Sequence, residues 1–311
     1  MEETIRINFD PNSRMLLNFL LAFIMFGVSL DLQWSDITRA VRKPKSTLIG
    51  VLSQFVLMPA LTFLVAYLWN PLPGLALGMF LVASCPGGTI SNFMSSLAKA
   101  DLGLSVTLTA ISTLLCLFFT PFNFELWSGL YPGTADLLKS VKLDAFQLFE
   151  TVFLFLILPV FVGMIFSARK PLITSKIKKP IKWISMLIFV AFVAVAFLKN
   201  QESFLKYAHL VFGLVVVHNL SAFVLGYFVG RVGEIGEAAS RSIAIETGIQ
   251  NSGLGLVICF NFFPEIGEMA LLCASWGIWH IISGLILSGI WSTYPPAQSE
   301  DSSFLGTGSN P

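Results

Sequence analysis

Charge is what this sequence has least of. Only 12% of its 311 residues are Asp, Glu, Lys or Arg, against about 25% in soluble domains, so a water-soluble surface is excluded. There are 3 histidines and 4 cysteines. His209, His218 and His280 show no ligand spacing, and Cys85, Cys116, Cys259 and Cys273 form no CxxC pair and lie in or beside apolar segments. A metal centre or disulfide framework is therefore not expected. The apolar segments also lack paired aspartates, a Ser/His pair and an HExxH motif, so the chain is not expected to be an enzyme. With a net charge of +1 and its basic residues confined to loops, it has no basic face for nucleic acid. Strict alternation over ten-residue stretches is missing too, which sets aside a β-barrel. No small-residue cleavage site follows the charged start, so no removable signal peptide is expected.

What is present is apolar length. Hydrophobic residues make up 55% of the chain and mean hydropathy is +0.78. Runs of about 20 apolar residues, the length that crosses a hydrocarbon core as helix, recur between short polar breaks. They predict an all-α polytopic membrane protein with about nine transmembrane helices, near 15–31, 45–69, 72–99, 102–123, 144–168, 181–199, 205–231, 236–262 and 265–293. Residues 1–14 then form an extracytoplasmic segment, 15–293 the transmembrane domain, and 294–311, rich in Pro, Ser and Gly, a disordered cytoplasmic tail. Orientation follows from the basic residues, because most of the 19 (among them Arg39, Arg42, Lys43, Lys45, Arg169, Lys170 and Lys176) fall in loops on the side of the C-terminus. That bias predicts an external N-terminus and a cytoplasmic C-terminus in the plasma (inner) membrane.

Two spans are interrupted. Pro86-Gly87-Gly88 sits in the middle of the third, and the polar run Glu246-Thr247-Gly248-Ile249-Gln250-Asn251-Ser252-Gly253 in the eighth. An interior proline removes a helix hydrogen bond and clashes with the preceding turn, and the second stretch is polar and glycine-punctuated between apolar flanks, so both helices are expected to break. One break in each half of the chain is the layout of a transporter built from two repeats. Glu246 is the exceptional acid, placed inside an apolar segment where a carboxylate costs at least about 3 kcal/mol. No Lys or Arg lies deep enough to neutralise it, and Arg241 is expected near the membrane surface. A mobile cation is then the simplest partner. Ser91, Asn92, Ser105, Thr109, Gln54, Thr247 and Gln250 offer the oxygens that a hard cation such as sodium prefers. The helix restarts after Gly88, where Thr89 is an expected N-cap, and near Asn251 and Ser252; both ends suit an anion.

The two interrupted stretches, Cys85-Pro86-Gly87-Gly88-Thr89-Ile90-Ser91-Asn92 and Ile245 to Gly253, resemble those of the bile acid:sodium symporter family. Gly27-Val28-Ser29-Leu30, Gln54 to Pro59 and Leu104-Ser105 to Thr113 extend the similarity across roughly 15–293. The resemblance implies inverted repeats, core and panel domains, and two discontinuous crossing helices. It implies a first sodium site at Ser91, Asn92, Ser105, Thr109 and Glu246, and a second at Gln54, Glu246, Thr247, Ile249 and Gln250, some through backbone carbonyls. Thr89 and Asn251 would face substrate. Two co-transported sodium ions and an organic anion (a bile acid-like molecule, a steroid sulfate or a small organic acid) are the implied partners besides the lipid bilayer. A proton-coupled or uncoupled organic anion carrier of the same fold is the alternative.

Overall fold

The computed structural model describes residues 13–88, 90–141, 145–199 and 201–296. Thr89 and nearly all of the two terminal segments lie outside the described residues. Among those residues the chain is helical, with no strand beyond one isolated bridge. Helix α1 (Ser13–Ser29) leads through a 63° bend into α2 (Trp34–Arg42). Next, α3 (Pro44–Leu52) and α4 (Met58–Trp69) join through a π turn at Ser53–Leu57. The first interrupted span is α5 (Pro73–Ser84) with α6 (Ile90–Leu97), followed by α7 (Leu102–Leu130) and α8 (Pro132–Val141). A second π turn, Phe153–Ile157, joins α9 (Ala145–Val152) to α10 (Leu158–Arg169). Then come α11 (Pro171–Lys199), α12 (Gln201–Val232), the second interrupted pair α13 (Glu237–Gly248) and α14 (Ser252–Phe262), and α15 (Gly267–Thr293).

Each expected span coincides with a helix or a helix pair. Among the described residues five stretches are long and apolar enough to cross a membrane unbroken: Pro44–Trp69, Leu102–Leu130, Phe146–Arg169, Val211–Val232 and Gly267–Thr293. The bent pair α1–α2 makes a sixth if it counts as one span. The protein is a multi-pass membrane protein. Two boundaries differ from expectation. α7 runs on to Leu130 through Pro121, and α11 begins at Pro171 because the basic stretch before 181 is itself helical. The short helices α2 and α8 fall where loops were expected.

Local chemistry accounts for the ends. Proline opens α3 and α5, where its missing N–H costs nothing. Asp101 caps α7 by accepting the Leu104 N–H at 3.0 Å, and Asn251 caps α14 by accepting the Leu254 N–H at 3.1 Å. Such caps contribute about 1 kcal/mol each. In the first π turn the Phe55 carbonyl is taken by Asn123 Nδ2 at 2.9 Å.

Helices that are apolar on every side belong in the interior. Accordingly α5 is buried along its whole length from Gly74 to Ser84, as is nearly all of α14. Small residues set the closest approach. A Cβ added at Gly226 would stand 2.7 Å from Ala244 Cα, and one at Gly230 2.7 Å from Ser240 Cα. Two small-xxx-small faces, one on α12 and one on α13, thus bring backbones into contact.

Arg241, expected near the membrane surface, is enclosed by protein there and only 5% exposed. It donates to Glu237 Oε1 at 2.8 Å and to the carbonyls of Ala98 (3.1 Å), Trp291 (3.1 Å) and Tyr294 (2.7 Å). Those carbonyls lie at the C-terminal ends of α6 and α15, where intrahelical N–H partners run out; that of Trp291 also accepts from the Tyr294 N–H at 3.2 Å. One guanidinium on α13 therefore ties the ends of two other helices together.

Asp101 lies in the short link before α7, and its carboxylate meets Lys43 Nζ at 2.8 Å. Burial works to raise its pKa. The Lys43 ammonium and the N–H groups of Leu104 and Gly103 outweigh burial, so the net direction is below the ordinary value of 3.8. A carboxyl depressed on folding contributes stability above its unfolded pKa and loses it as pH falls through the folded one. Thermal unfolding of the purified protein should therefore lose stability through this residue as pH drops below 3.8. Asp101→Asn should remove that component of the acid sensitivity, measured as the midpoint against pH.

Candidate functional site

The interrupted helices meet at their breaks. Gly87 and Gln250 form an antiparallel bridge. The Gly88 N–H donates to the Ile249 carbonyl at 2.7 Å, and the Asn251 N–H to the Pro86 carbonyl at 2.9 Å. Backbone groups freed from a helix inside lipid must find other partners, and here side chains supply the rest. Thr120 Oγ1 donates to the Ser84 carbonyl (2.7 Å), Gln54 Nε2 to that of Cys85 (2.8 Å) and Asn219 Nδ2 to that of Gly248 (2.7 Å). The breaks are thus built structure.

Glu246 stands at this junction, 3% exposed. Its Oε2 accepts from Ser91 Oγ at 2.6 Å, and Thr109 Oγ1 reaches both carboxylate oxygens, at 2.9 Å and 3.1 Å. Asn92 Oδ1 accepts from Ser105 Oγ at 2.9 Å and lies 3.4 Å from Thr109 Oγ1. The five residues expected at the first site are thereby one contiguous cluster drawn from α6, α7 and α13. Among the described residues no lysine or arginine pairs with Glu246. One carboxylate surrounded by neutral oxygens carries a single negative charge. That suits a monovalent hard cation; a divalent one normally collects more carboxylates. Nor do the described residues hold any group of three His, Cys, Asp or Glu able to bind a metal.

The residues expected at the second site are also brought together. Gln54 Nε2 donates to Gln250 Oε1 at 2.8 Å, and Gln250 Nε2 to Gln54 Oε1 at 3.3 Å and to the Thr247 carbonyl at 2.7 Å. Thr247 Oγ1 lies 2.9 Å from Ser53 Oγ. Ile249 contributes only its carbonyl, which the Gly88 N–H engages. The π turn matters here, because its extra residue carries Ser53 and Gln54 into the protein interior, both buried. Of the two residues expected to face substrate, Asn251 is half-buried and points its amide toward Met25 Sδ of α1, 3.8 Å away. Thr89 lies outside the described residues.

Three contributors escaped the sequence reading. Ser53 and Asn123 support the π turn and the second cluster, and Asn219 bridges the Gly248 carbonyl to Ser283 Oγ, which donates to its Oδ1 at 2.6 Å. The available signal was an asparagine in the middle of an apolar helix, a costly placement unless both ends of its amide are used.

Comparison with known proteins agrees with this geometry. The family model described as "Sodium Bile acid symporter family" matches residues 18–207. The "Uncharacterized sodium-dependent transporter YocS" of Bacillus subtilis is 33% identical over 280 residues, covering 89% of this chain and 83% of that protein. The "Probable sodium/metabolite cotransporter BASS1, chloroplastic" of Arabidopsis thaliana is 33% identical over 289 residues, or 90% and 68%. The "Hepatic sodium/bile acid cotransporter" of Rattus norvegicus is 26% identical over 290 residues, or 92% and 78%. These relatives are transporters, not enzymes. By the match of the family model over more than half its length and by these relatives, the chain belongs to the sodium bile acid symporter family.

Proposed function

We propose that the protein is a secondary active symporter that imports an organic anion together with two sodium ions. The observation that carries this reading is Glu246: a buried carboxylate paired with no cationic side chain among the described residues, surrounded by hydroxyl and amide oxygens where two broken helices are bonded to each other. One ion would be held by Ser91, Asn92, Ser105, Thr109 and Glu246. The other would use Gln54, Glu246, Thr247, Gln250 and the Ile249 carbonyl. The anion would meet Asn251 and Thr89 at the restart of the half-helices, where free N–H groups and the ions' own charge favour it. Sodium and anion would then each raise the affinity for the other.

Nine passes, inverted repeats, an external N-terminus and a plasma-membrane location complete the proposal. The helices would divide into a panel of α1, α9, α10 and α11 and a core containing the two broken pairs. This is supported by the packing of α1 on α10 and α11, and of α5 on α15 and α12 on α13. A monoanion with two sodium ions moves one net positive charge, which contributes about 2.3 kcal/mol at 100 mV. Two tenfold sodium gradients add about 2.8 kcal/mol. Accumulation by a factor in the thousands is then available.

A thermal-shift screen of the purified full-length protein tests this directly. Sodium is expected to raise the unfolding midpoint where equimolar potassium does not, and an organic anion of the right class to raise it further only with sodium present. Equal stabilisation by potassium would sink sodium coupling. Uptake into vesicles driven by a pH gradient without sodium would select the proton-coupled carrier instead.

A further inference from the structure

The end of the molecule that carries α2 sets exposed apolar side chains beside basic ones. α2 is too short to span, and it presents Trp34 (45% exposed) and Val41 (81%) beside basic residues. A short amphipathic helix of this kind, set between two membrane helices, lies in the interface plane. The link into α2 lies beside the α10–α11 turn, where Ser167 Oγ donates to the Leu30 carbonyl at 3.2 Å, and α2 itself begins against α10. The Trp34 and Phe161 rings are 6.1 Å apart, and Lys178 Nζ meets Asp31 at 3.1 Å. That turn exposes Leu172 at 81%, between Lys170 and Lys176.

The carboxylates here are already engaged: Asp31 with Lys178, Asp36 with Arg39, and Asp101 with Lys43. Arg42, Lys45, Lys170 and Lys176 are exposed and make no ion pair among the described residues. Cations beside exposed apolar side chains at a membrane interface match one occupant, a phospholipid with a negative headgroup. We infer that α2 and the α10–α11 turn together form a binding surface for anionic phospholipid. α2 also packs on α7, so bound lipid would bridge α7 to the α10–α11 turn. The inference does not depend on which ion is coupled.

Purified protein in a neutral detergent, titrated with dioctanoyl phosphatidylglycerol, tests it. The unfolding midpoint is expected to rise by about 3 °C, and the rise to fade at high ionic strength. Dioctanoyl phosphatidylcholine and inorganic phosphate should give no rise. The R42Q/K45Q/K170Q/K176Q variant should bind phosphatidylglycerol about tenfold more weakly or worse, while melting like the unaltered protein without lipid. An equal rise with phosphatidylcholine, the same rise with phosphate, or an unchanged response of the variant would each overturn the proposal. Should the fourfold variant melt early by itself, K170Q/K176Q alone decides: a halved response supports the surface, and an undiminished one excludes it.

Discussion

Glu246→Gln is expected to abolish sodium-dependent uptake while leaving a folded protein that extracts and melts normally. Glutamine keeps the shape of the side chain and one oxygen that can still accept from Ser91 and Thr109, whose hydroxyls now approach the carboxylate at 2.6 Å and 2.9 Å. It also removes a charge whose burial opposes folding. What disappears is the attraction for a cation. A unit charge about 4 Å from another at an effective dielectric of 20 is worth about 4 kcal/mol, or roughly a thousandfold in affinity. Both proposed ions share this one carboxylate, so the variant should lose the sodium-induced thermal shift as well as uptake. Retention of either at the unaltered level would remove the central claim. Unfolded protein would instead show that Glu246 serves the fold.

Gly87→Ala is the second large effect, produced by one methyl group. Gly87 is held on its backbone side by the bridge to Gln250. A Cβ there would enter the Glu246 carboxylate, colliding with Oε1 and standing 2.6 Å from Cδ. The backbone cannot yield without opening the junction, and the carboxylate can yield only by leaving Ser91 and Thr109, so overpacking of about 1–3 kcal/mol should accompany loss of sodium binding. Gly289→Ala is the control of opposite sign. A Cβ there meets nothing within 4 Å, and in mid-helix the change should stabilise by about 0.5–1 kcal/mol. Comparing the two melting curves, with and without sodium, separates a packing effect from a site effect. Equal behaviour of the two variants would show that the close approach of Gly87 to Glu246 has no energetic consequence.

The helices were readable because lipid imposes a one-dimensional rule: a segment must be apolar for about 20 residues to cross. The breaks were readable because Pro86, Gly87 and Gly88 cannot sit quietly inside such a segment. Glu246 stood out for the same reason. Physical reasoning alone collected the oxygens around it, whereas their division into two ion sites came from resemblance to a family. What escaped depends on which side of a helix meets which neighbour. The position of Arg241 in the chain does not tell that the ends of α6 and α15 close over it. Asn219 reads as one polar residue among many until α13 brings the Gly248 carbonyl to 2.7 Å. The pairing of Gly226 and Gly230 with Ala244 and Ser240 needs two helices to be seen at once. The π turn at Ser53–Leu57 leaves no composition signature, although it decides where Gln54 points.

The shared backbone bonds at the junction limit how this protein can work. Gly88 to Ile249 and Asn251 to Pro86 fasten the two interrupted strands of chain like a rivet through crossed blades. Sliding one blade along the other would leave amides and carbonyls stranded with no water to receive them, at several kcal/mol apiece. The cheaper course carries the riveted pair as a unit, its cargo pocket undistorted, past whatever borders it. Mutations that loosen the rivet should therefore leak ions before they slow the journey.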